Sequence, residues 1–223
     1  MTSNVTSSPL DCTGHPATLN ASAYTDADIF ARESKLIFRK HWWLVAPEAQ
    51  LRERGACVGS RVARWPIVLM RGEDDVLRGF HNVCRHRAGP LMDDGECTVL
   101  KQGIACRYHA WRYNLDGSLR HAPGLKSGVD LEFESLGLFA IKVACWNGLV
   151  FASLDDDPPH LEDWLGDIVY IAQDFPRIDE LEFDDHIENI GQANWKAYGD
   201  NSCEGYHVGM VHKALGKSVG RDS

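Results

Sequence analysis

The period of the apolar positions changes along the 223-residue chain. Residues 1–23 are rich in Ser, Thr, Asn and Pro and read as a surface arm. Ile29, Phe30, Leu36 and Ile37 then form a partial helical stripe, with Thr25 as the expected N-cap and the Trp42–Trp43 pair expected to end the helix and enter a core. From about residue 55 short strands take over. The runs 64–70 and 77–81 flank Gly72-Glu-Asp-Asp75, a hairpin signal, and further strands are expected at 104–106, 111–113, 137–143 and 146–154, with a turn at Asp116-Gly117. Helical spacing returns at Leu161, Trp164, Leu165, Ile168, Val169, Ala172 and Phe175, after the acidic, proline-bearing stretch 155–159. A strand is expected near 181–190, and a last helix starts at Trp195 with Asn194 as its cap. The pattern predicts an α+β chain in three parts: an arm and helix over 1–54, an antiparallel β domain over 55–155, and the start of a second domain over 156–223.

Composition narrows the class of protein. Apolar residues make up 44% and charged residues 25%, which is ordinary for a globular chain and excludes a disordered one. No run of about 18 apolar residues suggests a membrane span. The net charge of −9 argues against nucleic acid as a partner. The first twenty residues lack a basic and an apolar signal region, so a cytoplasmic location and reduced cysteines are expected. Closely spaced Cys and His then read first as metal ligands, and Cys84 and Cys106 make two such mixed pairs.

Those two lie in Cys84-Arg-His86 and Cys106-Arg-Tyr-His109, with nineteen residues between His86 and Cys106. Thiolate and imidazole suit zinc and iron–sulfur chemistry. Four such ligands can enclose one tetrahedral zinc, or two Cys and two His can each take one iron of a [2Fe–2S] cluster. Each pair here mixes Cys with His, whereas zinc sites usually pair like with like, and both pairs fall at strand–loop junctions. The other histidines, at 15, 41, 81, 121, 160 and 186, read as surface or satisfied core residues. The runs Cys84-Arg-His-Arg-Ala-Gly-Pro-Leu91, Cys106-Arg-Tyr-His-Ala-Trp111 and Asn114-Leu-Asp-Gly-Ser-Leu119 resemble the Rieske family, in its ring-hydroxylating oxygenase branch.

Downstream stands Asn194-Trp-Lys, then Asp200, Glu204, His207 and His212. Two imidazoles and a carboxylate make the facial triad of non-haem iron oxygenases. A separation of five residues turns about 140° on an ideal helix, so a widened turn or a bend, helped by Gly205 and Gly209, has to bring the rings together. The segment resembles the catalytic-domain iron motif of Rieske oxygenase α subunits. That resemblance implies that His207 and His212 hold a mononuclear Fe(II). It places Glu204 as the acidic residue linking this iron to a neighbouring subunit's cluster, with Asp200 next in line for that role. Glu at this position is more notable in branches acting on quaternary amines.

The resemblance further implies a helix-grip-like α+β catalytic domain and electrons from NAD(P)H delivered by a reductase, with or without a ferredoxin. It implies O2-dependent hydroxylation of an organic, mostly aromatic substrate, as in aromatic hydrocarbon catabolism, and a homotrimer of α subunits with or without β subunits. The family's third iron ligand comes from a much later helix, and only Asp222 follows His212 at the end of this chain, so an N-terminal fragment is expected. The competing readings are an electron-transfer protein with no oxygenase activity of its own, an oxygenase of quaternary amines and, remotely, a structural zinc protein.

Overall fold

The structure, a computed structural model, describes residues 19–124, 133–184, 187 and 189–218. His15, His186 and the tail past Ser218 lie outside the described residues. The chain forms two compact units, one of residues 33–185 and one joining 1–32 to 186–223.

Helix α1 (Ser22–Thr25) and α2 (Ala27–Glu33) come first. Asp26, not the expected Thr25, caps α2, because its Oδ1 accepts the backbone N–H groups of Asp28 and Ile29 at 2.7 and 3.3 Å. Residues Ser34–Phe38 continue as a π-helical turn, with Arg39 N–H donating to the Ser34 carbonyl five residues back. The widened turn changes which side chains face inward: Ser34 and Phe38 are buried while Leu36, part of the expected stripe, is exposed.

The larger unit is built on antiparallel strands β1 (Trp43–Pro47), β2 (Ala56–Val62), β3 (Trp65–Arg71), β4 (Leu77–His81) and β5 (Cys97–Val99). The short β6 (Ile104–Ala105), β7 (Arg112–Tyr113) and β8 (Leu119–His121) follow, then β9 (Ala140–Trp146) and β10 (Leu149–Ser153). Seven of them form one sheet in the order β1-β10-β9-β4-β3-β2-β5, and β6-β7-β8 form a second. The large sheet curls, since the Ser60 hydroxyl of β2 reaches the Val45 carbonyl of β1 at 2.8 Å. Strand β3 shows why its run is apolar throughout. Ile67 and Leu69 join a core with Val150 and Ala152, while Val68 and Met70, on the other face, join a core with Ile104, Trp111 and Tyr113. That second core lies under the Cys/His loops.

Helices α3 (Leu161–Leu165) and α4 (Ile168–Ile171) replace the single helix expected over 161–175. Gly166 separates them at φ 55° and ψ −128°, a conformation that essentially only glycine takes. Leu161 and Leu165 pack on Trp42 and Phe151, so this segment belongs to the larger unit. The described residues of 181–190 contain no strand. Leu181 and Ile187 are exposed there, and an isolated strand without a partner is not stable.

In the smaller unit α5 (Trp195–Cys203), α6 (Tyr206–Val211) and α7 (Lys213–Ser218) follow one another. Asn194 caps α5 as expected, its side chain accepting the Lys196 N–H at 3.1 Å. No helix among the described residues is long and apolar enough to cross a membrane.

Candidate functional site

The two Cys/His loops have the same backbone design, which their unequal spacings conceal. In the first, Cys84 N–H donates to the Gly89 carbonyl at 2.8 Å and the Cys84 carbonyl accepts from Ala88 N–H at 3.0 Å. In the second, Cys106 N–H donates to the Trp111 carbonyl at 2.8 Å and the Cys106 carbonyl accepts from Ala110 N–H at 2.9 Å. Each loop turns on an alanine in the left-handed region, Ala88 at φ 56° and Ala110 at φ 58°. Such a conformation costs a non-glycine residue about 1–2 kcal/mol, so packing and the paired hydrogen bonds must hold it.

The loops sort their ligands by depth. Cys84 and Cys106 are 2% and 3% exposed, whereas His86 and His109 reach the surface. The two imidazoles lie 4.8 Å apart between ring centroids, and His86 stacks on Trp111 at 4.9 Å and 8°. The Tyr113 hydroxyl is 3.2 Å from Cys84 Sγ and accepts the Arg85 N–H at 3.0 Å, so its own O–H is free to donate to sulfur. Burial pushes the Cys84 thiol up, and the Tyr113 hydroxyl opposes that shift. Tyr113 itself is raised, first by burial and then by Cys84.

Two buried, unbridged cysteines below two surface imidazoles form a donor set that fits a [2Fe–2S] cluster, thiolates to one iron and imidazoles to the other. The space agrees. A Cβ on Gly89 would stand 3.3 Å from Cys106 Sγ, a tight contact, so glycine leaves the sulfur more room there.

The second constellation is assembled locally. Helix α6 stops at His212, whose φ −110° and ψ 61° leave the helical region, and α7 begins at the next residue. This bend, rather than a widened turn, brings the His207 and His212 rings to 5.3 Å between centroids, nearly perpendicular at 76°. Glu204 accepts the Tyr206 N–H at 2.7 Å through one oxygen and makes a short contact to His207 Nδ1 through the other. That contact, ahead of all other causes, holds the Glu204 carboxyl below its ordinary range. With Nδ1 engaged, Nε2 is the nitrogen His207 has left for a metal. A His pair with an oriented imidazole fits a mononuclear iron, although among the described residues no third His, Cys, Asp or Glu gathers with the pair as one ion site.

Asp200 stands apart from this group. Its carboxylate accepts the Tyr24 hydroxyl, which raises the tyrosine's pKa. The Asn194 side-chain amide donates to the Tyr24 carbonyl at 3.1 Å. Sequence reasoning missed Tyr24 and also Tyr113. The fully buried Tyr113 stands between Arg112 and Asn114 in the chain, and only the fold shows that its hydroxyl meets a thiol.

Known families match the two segments of the chain that carry these residues. Residues 41–146 match the Rieske [2Fe-2S] domain, and residues 174–223 match the catalytic domain of the ring hydroxylating alpha subunit. The carnitine monooxygenase oxygenase subunit of Escherichia coli K12 is 34% identical over 203 residues, covering 91% of this chain and 54% of the relative. The glycine betaine monooxygenase oxygenase subunit of Chromohalobacter salexigens is 33% identical over 88% of this chain and 43% of its own length. The chain therefore spans about half the length of these curated relatives. Among solved structures, a quaternary ammonium Rieske monooxygenase in complex with L-carnitine superposes with a TM-score of 0.81 at 33% identity, covering 88% of this chain and 56% of the other. Naphthalene 1,2-dioxygenase with indole bound gives 0.74 at 28% identity, covering 86% and 44%.

Proposed function

The chain belongs to the Rieske oxygenase α-subunit family, and from that premise we propose that it works in the O2-dependent hydroxylation of a quaternary ammonium compound. Cys84, His86, Cys106 and His109 would hold the [2Fe–2S] cluster, and His207 and His212 the mononuclear Fe(II). When bound, the cluster supplies one-electron transfer and the ferrous iron supplies O2 activation. The cluster residues lie in the unit of residues 33–185, and the iron residues lie in the unit that joins 1–32 to 186–223. The observation that carries the reading is the sorting of the mirrored loops, two sulfurs inside and two imidazoles at the surface.

The chain's own groups have definable tasks. The Tyr113 O–H and the backbone around Cys84 give polar partners to a buried sulfur. Trp111 fixes the plane of His86 by stacking on it. Glu204 fixes His207 through Nδ1, and as an outward-facing carboxylate it is the group to accept a proton or hydrogen bond from a second subunit's histidine. Asp200, engaged by Tyr24, fits that bridging role less well. Among substrates, a quaternary ammonium compound is favoured over an aromatic hydrocarbon by the carnitine and glycine betaine relatives and by Glu at 204. Partners in this reading are an NAD(P)H-dependent reductase, with or without a ferredoxin, and further α subunits, in the cytoplasm.

Metal analysis of anaerobically purified chain tests it. About two acid-labile sulfides per chain and a low-g Rieske signal on reduction are expected. Cys106→Ala should remove both, and His207→Ala should remove only an additional ferrous iron. Absence of sulfide with one zinc bound overturns the reading. Sulfide without any ferrous iron displaced by His207→Ala favours the electron-transfer protein instead.

A further inference from the structure

A recess of about 460 Å³ opens beside the second loop, lined by Ala110, Arg112, Arg120, His121 and Pro123. Three of its five walls carry a guanidinium or an imidazole, and all three residues are exposed. The gathering is built into the backbone. Arg112 pairs with His121 across β7 and β8, and the next pair is Tyr113 with Leu119, so Arg120 is an extra residue in β8. A bulge places two residues of one strand against one of its partner and re-aims a side chain that alternation would send to the opposite face. Arg120 and His121 thereby share a recess with Arg112.

Several arginines elsewhere pair with carboxylates. Arg54 pairs with Asp75, Arg78 with Asp74, Arg107 with Asp93 and Glu96, and Arg177 with Asp179. Neither Arg112 nor Arg120 pairs with a carboxylate among the described residues, and Arg120 donates only to the Gln102 carbonyl at 3.1 Å. Like charges held close together on a ladder are destabilising, yet a chain of net charge −9 keeps Arg112 and Arg120 together beside His109. We infer that this recess is a docking socket for carboxylates on the acidic face of an electron-donor protein. The inference rests on the cluster assignment above, since His109, next to Ala110 on the rim, is then a cluster ligand.

Charge complementarity of this kind sets encounter rate and salt dependence more than tight affinity. The probe is an acidic plant-type [2Fe–2S] ferredoxin, titrated calorimetrically against the full chain at low and at physiological salt. Wild type should bind at low salt and lose at least about tenfold in affinity as salt rises. Arg112→Glu combined with Arg120→Glu should weaken low-salt binding at least about tenfold and flatten the salt dependence. Arg64→Glu, an exposed arginine on the β2–β3 turn, should change neither. Retained affinity in the double variant, or no binding by wild type, overturns the socket. So does citrate binding in place of the ferredoxin, which would mark a small-anion site, or salt-sensitive self-association abolished by the double variant, which would give the recess to a second copy. The low-g signal is read separately. A chain that docks the ferredoxin without that signal overturns the cluster assignment and, with it, the donor role of the socket.

Discussion

The Cys/His loops and the histidine hairpin both gather metal-binding side chains, but by different means. The loops stand on a floor of buried residues, among them Ile104, Trp111 and Tyr113, and that floor holds two alanines in the left-handed region. Helices α5–α7 bury only Gly216, and their geometry comes from a cap, a bend and one Glu–His contact. The first site is enforced by tertiary packing and the second by local hydrogen bonds. Ligand placement in the first should therefore be inseparable from the stability of its unit, while the second can be altered at little cost to folding.

Truncating one residue in each region gives the largest expected contrast. Ile104 is 1% exposed beneath the loops, and Ile104→Ala should cost about 3 kcal/mol. Met210 lies between His207 and His212 and is 75% exposed, so Met210→Ala should stay within about 0.5 kcal/mol. Urea unfolding followed by tryptophan fluorescence measures both. Equal losses would show that the hairpin is as firmly packed as the loops, and the comparison would fail.

The same contrast explains how much could be read from the sequence. Hairpin β3–β4, the turn at Asp116-Gly117 and the Asn194 cap are signalled by residue types that act locally, and the structure has all three. The four Cys and His of the loops were legible as a set because metal chemistry restricts residue type. Their shared backbone was not, because Ala88 and Ala110 are residues that do not advertise a left-handed conformation. The bend at His212 was legible only as a requirement, since five-residue spacing demands some break without saying which. The basic recess depends on a bulge, and the alternation of β8 gives no hint that Arg120 joins Arg112. The helix over 161–175 failed at Gly166, where one backbone angle overrides a consistent apolar stripe.

A sharper probe of the packed region is the left-handed pair. Ala110→Gly should relieve strain and stabilise by up to about 1 kcal/mol, whereas Ala110→Val, with a branched Cβ, should destabilise by more than that. Both are read from thermal unfolding of the full chain. Because Ala88 has the same φ within 2°, the same two substitutions there should give effects of the same sign and similar size. Opposite signs at the two positions would show that the loops share hydrogen bonds but not strain.

The smallest effect concerns acid, and it separates the regions by where on the pH scale each one weakens. His81, in β4 of the packed unit, has its pKa lowered from 6.5, first by burial and then by Arg39. The unfolded chain then binds this proton more readily than the folded one, so His81 favours folding above about pH 6.5 and that contribution is lost as pH falls through the lowered value. Glu204 in the hairpin is lowered from 4.5 by His207, so its contribution is present above about pH 4.5 and is lost only below that. The urea midpoint of the sheet-bearing unit should therefore begin to drop between pH 7 and 5.5, where Glu204 is still fully charged. His81→Gln should flatten the curve in that window, and Glu204→Gln should leave it unchanged there. A midpoint that is flat in wild type from pH 7 to 5.5 would mean that His81 is solvated in the folded chain, and that the packed region is looser around β4 than beneath the loops.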